Sequence, residues 1–158
     1  MRKRFGELMA STMQQDHNVW LLTGDLGFGV LDPVRDACPD RFCNVGAAEQ
    51  LMLGAAVGLT HQNKTAVVYS ITPFVVFRPY EYIRNYLDHE LAPVKLVGAG
   101  RGQDYGHLGF SHWADDAPRA LDVFNNIQQF HPENTAELEK IWEQWLYSPG
   151  PAYLNLKR

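Results

Sequence analysis

Residues Arg41–Asn85 read RFCNVGAAEQLMLGAAVGLTHQNKTAVVYSITPFVVFRPYEYIRN. FCNV is a brief strand, AAEQLMLGAAVGLTHQ a helix and KTAVVYS an apolar strand. FVVFRPYEYIRNYLDHEL returns to helical spacing, with Pro79 expected in its first turn. A chain that alternates strand and helix in this way must cross over a sheet between strands. The pairing is then parallel, with helices on both faces.

The flanks continue the alternation. MRKRFGELMASTMQQ places Phe5, Leu8, Met9 and Met13 at helical spacing, VWLLTG is a strand, and DPVRDACP is a short helix with Asp32 as cap and Pro33 in the first turn. Downstream come the strand PVKLVGAG, the Gly-rich loop GRGQDYGHLGFSHWADD and a helical piece near APRALDVF. The strand NIQQF follows, then an amphipathic helix with Leu138, Ile141, Trp142 and Trp145 on one face, then the strand PAYLNLKR. The expectation is an α/β protein with three αβα layers around a mostly parallel sheet of about six strands, forming one domain over residues 1–158.

Bulk properties narrow the function classes. A formal charge of −4 gives no basic footprint for nucleic acid. No apolar run approaches the roughly 18 residues of a membrane span, and the basic start is interrupted by Glu7, Gln14 and Gln15, unlike a secretory leader. Cys38 and Cys43 do not form a CxxC pair and read as free thiols of a cytoplasmic protein.

In parallel sheets, ligands bind beyond the carboxyl ends of the strands. Those ends are Thr23–Val30, Asn44–Glu49, Ser70–Phe77 and Gly98–His112, and they hold the chemically suggestive residues. Glu49 starts an Ala/Gly-rich helix. As a first-turn acid it serves the helix dipole, and as a partly buried acid it could hydrogen-bond a ligand nitrogen. Phe74, Phe77 and Tyr80 recur every three residues after a polar strand end, a pattern that suits core packing or a pocket wall. An acid beside aromatics suits a flat heteroaromatic ligand with a basic ring nitrogen. Gly54 and Gly58 allow close backbone approach, against the sheet or across a subunit interface. Gly98-Ala-Gly100-Arg-Gly102 is not GxGxxG and opens no helix, so a dinucleotide loop is rejected. His107 and His112 lack a third ligand at useful spacing, so no metal is expected on this chain. His112, between Ser111 and Trp113, is suited to donating to a carbonyl oxygen or to moving a proton.

RFCNVGAAEQLMLGAAVGL, YSITPFVVFRPYEYIRN and VKLVGAGRGQDYGHLGFSHWADD together resemble the pyrimidine-binding domain of transketolase-type thiamine diphosphate enzymes, from about Trp20 to Asp116. The resemblance implies the thiamine diphosphate-binding fold of pyrimidine type. It implies that Glu49 hydrogen-bonds N1′ of the aminopyrimidine, that Phe74, Phe77 and Tyr80 enclose that ring, and that His112, in GFSH, faces the substrate. Arg78 and Arg101 match substrate-phosphate arginines of related deoxyxylulose-phosphate synthases, although the turn before Arg78 differs in length. The family's GDG…Asn diphosphate and metal motif has no counterpart here. GDLGFG at Gly24 lacks the following Asn, so Mg²⁺ or Ca²⁺ is expected on a separate diphosphate-binding subunit. Leu108 stands where sugar transketolases have an Asp, four residues before the histidine, which removes a hydroxyl-recognising group.

The implied function is that of a pyrimidine-binding subunit of a split transketolase-like transferase, moving a two-carbon ketol or acyl unit from a ketose or 2-oxoacid. Such a subunit is expected to work only with its partner, in a homodimer or heterotetramer. A 2-oxoacid decarboxylase or dehydrogenase component, and a non-catalytic scaffold or regulatory subunit, are the alternatives.

Overall fold

Six short strands lie side by side and all run the same way, in the order β2-β1-β3-β4-β6-β5. The computed structural model describes residues 1–158. The strands are β1 (Val19–Thr23), β2 (Phe42–Asn44), β3 (Thr65–Ile71), β4 (Lys95–Ala99), β5 (Gln128–Phe130) and β6 (Ala152–Leu156). The central strands β4 and β6 are buried along their whole length and β3 over its five inner residues, as expected for a sheet covered on both faces.

Alternate residues of each strand feed two separate cores. Val67, Tyr69, Val97 and Leu154 pack with α1 (Arg2–Gln15), α2 (Asp32–Ala37) and α7 (Thr135–Leu146). Here Phe5 stacks on Tyr69 with ring centroids 5.5 Å apart, and its edge meets Trp142 at 5.6 Å. Val68, Leu96 and Tyr153 face the opposite layer, built from α3 (Glu49–Thr60), α4 (Thr72–Phe77), the single turn α5 (Tyr80–Tyr82) with the π-helical turn Ile83–His89 that continues it, and α6 (Ala117–Leu121). This is the expected three-layer α/β arrangement with six strands.

Local details differ from the sequence reading. Leu31, not Asp32, caps α2, and Asp32 sits in the first turn, 3.2 Å from Arg35. The residues after β3 do not form one helix with Pro79 in its first turn. Pro73 occupies that position, α4 ends at Phe77, and Pro79, which has no N–H to continue the ladder, sits at a break. The Gly-rich loop after β4 contains two 3₁₀ turns, Gly106–Leu108 and Phe110–His112. Gly54 accepts the ring of Tyr82, which would lie 3.3 Å from an added Cβ, so this glycine serves packing within the chain, whereas nothing lies within 4 Å of Gly58. No helix is long and apolar enough to cross a membrane.

The strand order reverses between β1 and β3: the chain goes from β1 outward to β2, then back across to β3. The crevice at the carboxyl ends of these two strands is where an open α/β sheet offers a ligand site.

Candidate functional site

Glu49 lies in that crevice. It opens α3 and is 2 % exposed. Gly24, directly after β1, lets Glu49 approach closely, since a Cβ there would stand 3.3 Å from Glu49 Oε1 and press on it. Ser70, near the end of β3, donates its hydroxyl to Glu49 Oε1 at 3.2 Å. Asn44, the last residue of β2, fixes the turns on either side. Its Oδ1 accepts from Asp25 N at 2.9 Å and from Gly46 N at 3.0 Å. Both turns need left-handed backbone, with φ of 55° at Asp25 and 76° at Gly46. Three strand ends thus hold one buried carboxyl group.

A buried charge needs a partner, and Glu49 finds it in Arg78. Nη1 of Arg78 lies 2.8 Å from both carboxylate oxygens. The same guanidinium lies 3.7 Å from the centre of the Phe74 ring. Phe74 in turn meets the edge of His112 at 5.0 Å between ring centroids. His112 Nδ1 is 3.0 Å from the Ser111 hydroxyl. With that hydroxyl donating, the His112 proton rests on Nε2. A cleft of about 480 Å³ opens beside this group, lined by Ala47, Ala48, Glu49, Gln50, Leu51 and Arg78. Phe77, Phe110 and Trp113 line an adjoining recess, with Phe110 and Trp113 in edge contact at 5.7 Å.

The structure therefore brings Glu49, Phe74, Arg78 and His112 into one chain of contacts and places Phe77 at its rim. Two other candidates are engaged elsewhere. Tyr80 turns to the α6 side, where its hydroxyl donates to Ala120 O at 2.7 Å and its ring lies 5.1 Å from Phe124. The break at Pro79 takes Tyr80 off the face that Phe74 and Phe77 share. Arg101 is a brace. Its Nε and Nη2 donate to Asn155 O, Nη2 also to Pro132 O, and Nη1 pairs with Glu133 at 2.8 Å. Its side chain is only 16 % exposed and four of its five guanidinium hydrogens are taken, which leaves one on Nη1. Ser70, Asn44 and Gly24 escaped the sequence reading. Ser70 and Asn44 did carry a signal, as polar residues at strand ends.

No group of three His, Cys, Asp or Glu side chains is placed to hold a metal ion. Five large apolar side chains are also exposed around this end of the sheet: Leu51, Phe77, Leu108, Phe110 and Trp113.

Comparison with known proteins identifies the family. The family model for the transketolase pyrimidine-binding domain matches residues 1–158. A subunit of the apulose-4-phosphate transketolase of Actinobacillus succinogenes is 36 % identical over 118 residues, 75 % of this chain and 38 % of that protein. Among solved structures, a split gene transketolase described as an inactive beta4 tetramer superposes with a TM-score of 0.86 at 28 % identity, covering 99 % of this chain and 50 % of that one. Transketolase from Leishmania mexicana shares the fold, with a TM-score of 0.87 at 20 % identity over 99 % of this chain and 25 % of that one. The chain spans about half the length of the curated relatives it matches, or less. It belongs to the transketolase pyrimidine-binding domain family.

Proposed function

We propose that this chain binds the aminopyrimidine of thiamine diphosphate as one part of a split transketolase-type enzyme that transfers a two-carbon ketol or acyl unit. The observation that carries the reading is Glu49: a carboxylate 2 % exposed, at the strand reversal, linked through the Arg78 guanidinium to the Phe74 ring. A flat, cationic group bearing N–H donors already fits between Glu49 and Phe74, namely the guanidinium of Arg78. An aminopyrimidine has the same requirements, so the donor set suits it.

When bound, the cofactor supplies a nucleophilic carbon and an electron sink. The chain's own residues have narrower tasks. Glu49 shares a proton with the ring nitrogen N1′, and Ser70 holds Oε1 in position for this. Phe74 covers one face of the ring, and Phe77 adds apolar wall at the rim. His112, in edge contact with Phe74, donates from Nε2 to the substrate carbonyl oxygen in the tautomer in which the Ser111 hydroxyl donates to Nδ1. Tyr80 keeps a supporting part, fixing α6 behind the aromatic wall.

The family's GDG…Asn motif has no counterpart in this sequence, and the diphosphate and its Mg²⁺ or Ca²⁺ are assigned to a second, diphosphate-binding subunit. The exposed apolar rim of Leu51, Phe77, Phe110 and Trp113 supports such a partner. The assembly is a homodimer or a heterotetramer acting on a small ketose or 2-oxoacid, and the free thiols Cys38 and Cys43 fit a cytoplasmic setting. Exposed Leu108, standing where sugar transketolases have an Asp, offers no carboxylate to a donor hydroxyl at that position, which favours donors with few hydroxyls.

The test is calorimetry with thiamine diphosphate and Mg²⁺, on this chain alone and on the chain assembled with its partner, followed by product analysis with ketose and 2-oxoacid donors. Tight binding and turnover only in the assembly are expected. Tight binding by the chain alone, or none in the assembly, contradicts the proposal.

A further inference from the structure

Arg78 and Arg101 are opposites. Every nitrogen of the Arg101 guanidinium has a protein partner. Arg78 engages with one nitrogen only: Nη1 reaches both oxygens of Glu49, while Nε and Nη2 have no protein partner and the side chain is 45 % exposed. Its backbone lies at the end of α4, at the break that Pro79 imposes, where no helical ladder fixes it on both sides. It is therefore lightly held, yet it fills a demanding place. The guanidinium is planar and cationic, it lies on Phe74 at 3.7 Å, and it satisfies the buried carboxylate of Glu49. Those are the two contacts assigned above to the aminopyrimidine.

We infer that Arg78 is a displaceable internal ligand of the ring pocket. With no ring bound, it neutralises Glu49 and keeps Phe74 covered, holding both in the geometry that the ring needs. An entering ring takes both contacts from it, and the guanidinium swings into water through its exposed side. Arg78 thus acts as a positioning residue that competes with the cofactor and sets which ligands the pocket admits. Only a flat group that offers a donor to Glu49 and a face to Phe74 can replace it, because any other occupant leaves the carboxylate buried and unpaired. The inference rests on the proposed pyrimidine site.

The competition has a measurable size. Apparent affinity falls by the fraction of molecules whose site is open, so a latch closed in about nine molecules of ten weakens binding about tenfold. Arg78→Met removes the competitor and leaves Glu49 in want of the partner the ring supplies. Both effects tighten binding.

The experiment uses the chain assembled with its diphosphate-binding partner and thiamine diphosphate with Mg²⁺ as probe. On the unmodified protein, NMR of labelled arginine follows the Arg78 side chain, whose δ-methylene signals are shifted by the Phe74 ring. These signals are expected to move to solvent values as cofactor saturates the site. Calorimetry of Arg78→Met is expected to show binding tightened about tenfold. Arg78 signals that stay shifted under saturating cofactor, or an Arg78→Met affinity that is unchanged or weaker, overturn the inference. Glu49→Ala and Phe74→Ala separate the two levels of the claim. If neither weakens cofactor binding, the pyrimidine site itself is wrong and the inference falls with it. If both weaken binding while Arg78 does not move, only the displacement falls.

Discussion

Removing the two members of the Glu49–Arg78 pair should cost very different amounts. Glu49 is 2 % exposed, and the Arg78 side chain is 45 % exposed. Arg78→Met leaves a carboxylate in the crevice with only the Ser70 hydroxyl, 3.2 Å away, as partner. An unsatisfied buried group costs about 1–3 kcal/mol. The half-exposed guanidinium keeps the cost below the roughly 3–5 kcal/mol of breaking a fully buried pair. Glu49→Gln is the milder change. The amide still accepts from Ser70, and Arg78 turns to water. What goes is a pair whose attraction is largely offset by the cost of burying the carboxylate, a net loss of under about 1 kcal/mol, and a helix-terminal charge worth about 0.3–1 kcal/mol. Urea unfolding of both variants, with slopes compared to establish that the same surface is exposed, gives the two values. In a domain of this size each 1 kcal/mol moves the melting temperature by about 2–4 °C, so thermal scans resolve the difference as well. If Glu49→Gln costs as much as Arg78→Met, Glu49 is not a desolvated carboxylate that depends on its partner, and the electrostatic account of the site is wrong.

Two further outcomes test the frame around the site. A Cβ at Gly98 would stand 2.5 Å from the Tyr153 hydroxyl and 2.6 Å from Thr72 Oγ1, so Gly98→Ala should lose about 1–3 kcal/mol of unfolding free energy; Tyr153→Phe, which removes the nearer of those two oxygens, should recover part of that loss, and a Gly98→Ala variant within about 0.5 kcal/mol of the parent would contradict the packing. At the opposite end of the sheet, burial pushes Lys95 from 10.5 down to about 8, against the pull of three oxygens of Ser148 and Gly150 at 2.6–2.8 Å that favour the ammonium. The unfolded chain then binds more protons than the folded one between those values, so stability should rise with pH from about 8 to about 10.5, and Lys95→Met should flatten the rise; an unaltered pH profile in that variant refutes the assignment.

The class of fold was legible because each element carries its own period: apolar runs such as VVY and KLV between segments at helical spacing. Strand order was not, since nothing local tells β6 to enter between β4 and β5. Within the site, Glu49, Phe74 and Phe77 could be picked out because each lies in the segment that follows the carboxyl end of a strand. Tyr80 continues the three-residue spacing in sequence but not in space, because Pro79 interrupts the backbone that would have kept it in phase. Arg101 and Arg78 were alike in the sequence reading, both matching substrate-phosphate arginines by resemblance. Their separation depends on long-range partners, Asn155 and Pro132 for one and Glu49 for the other, which no spacing encodes.

The central claim, that Glu49 activates a bound aminopyrimidine, is tested most directly by hydrogen–deuterium exchange at C2 of thiamine diphosphate, followed by NMR in the assembled enzyme. General acid–base groups contribute about 10²–10⁴-fold. Glu49→Gln should therefore slow the exchange by that factor while lowering the melting temperature by only a few degrees. An unchanged exchange rate in Glu49→Gln, with cofactor bound, contradicts the claim.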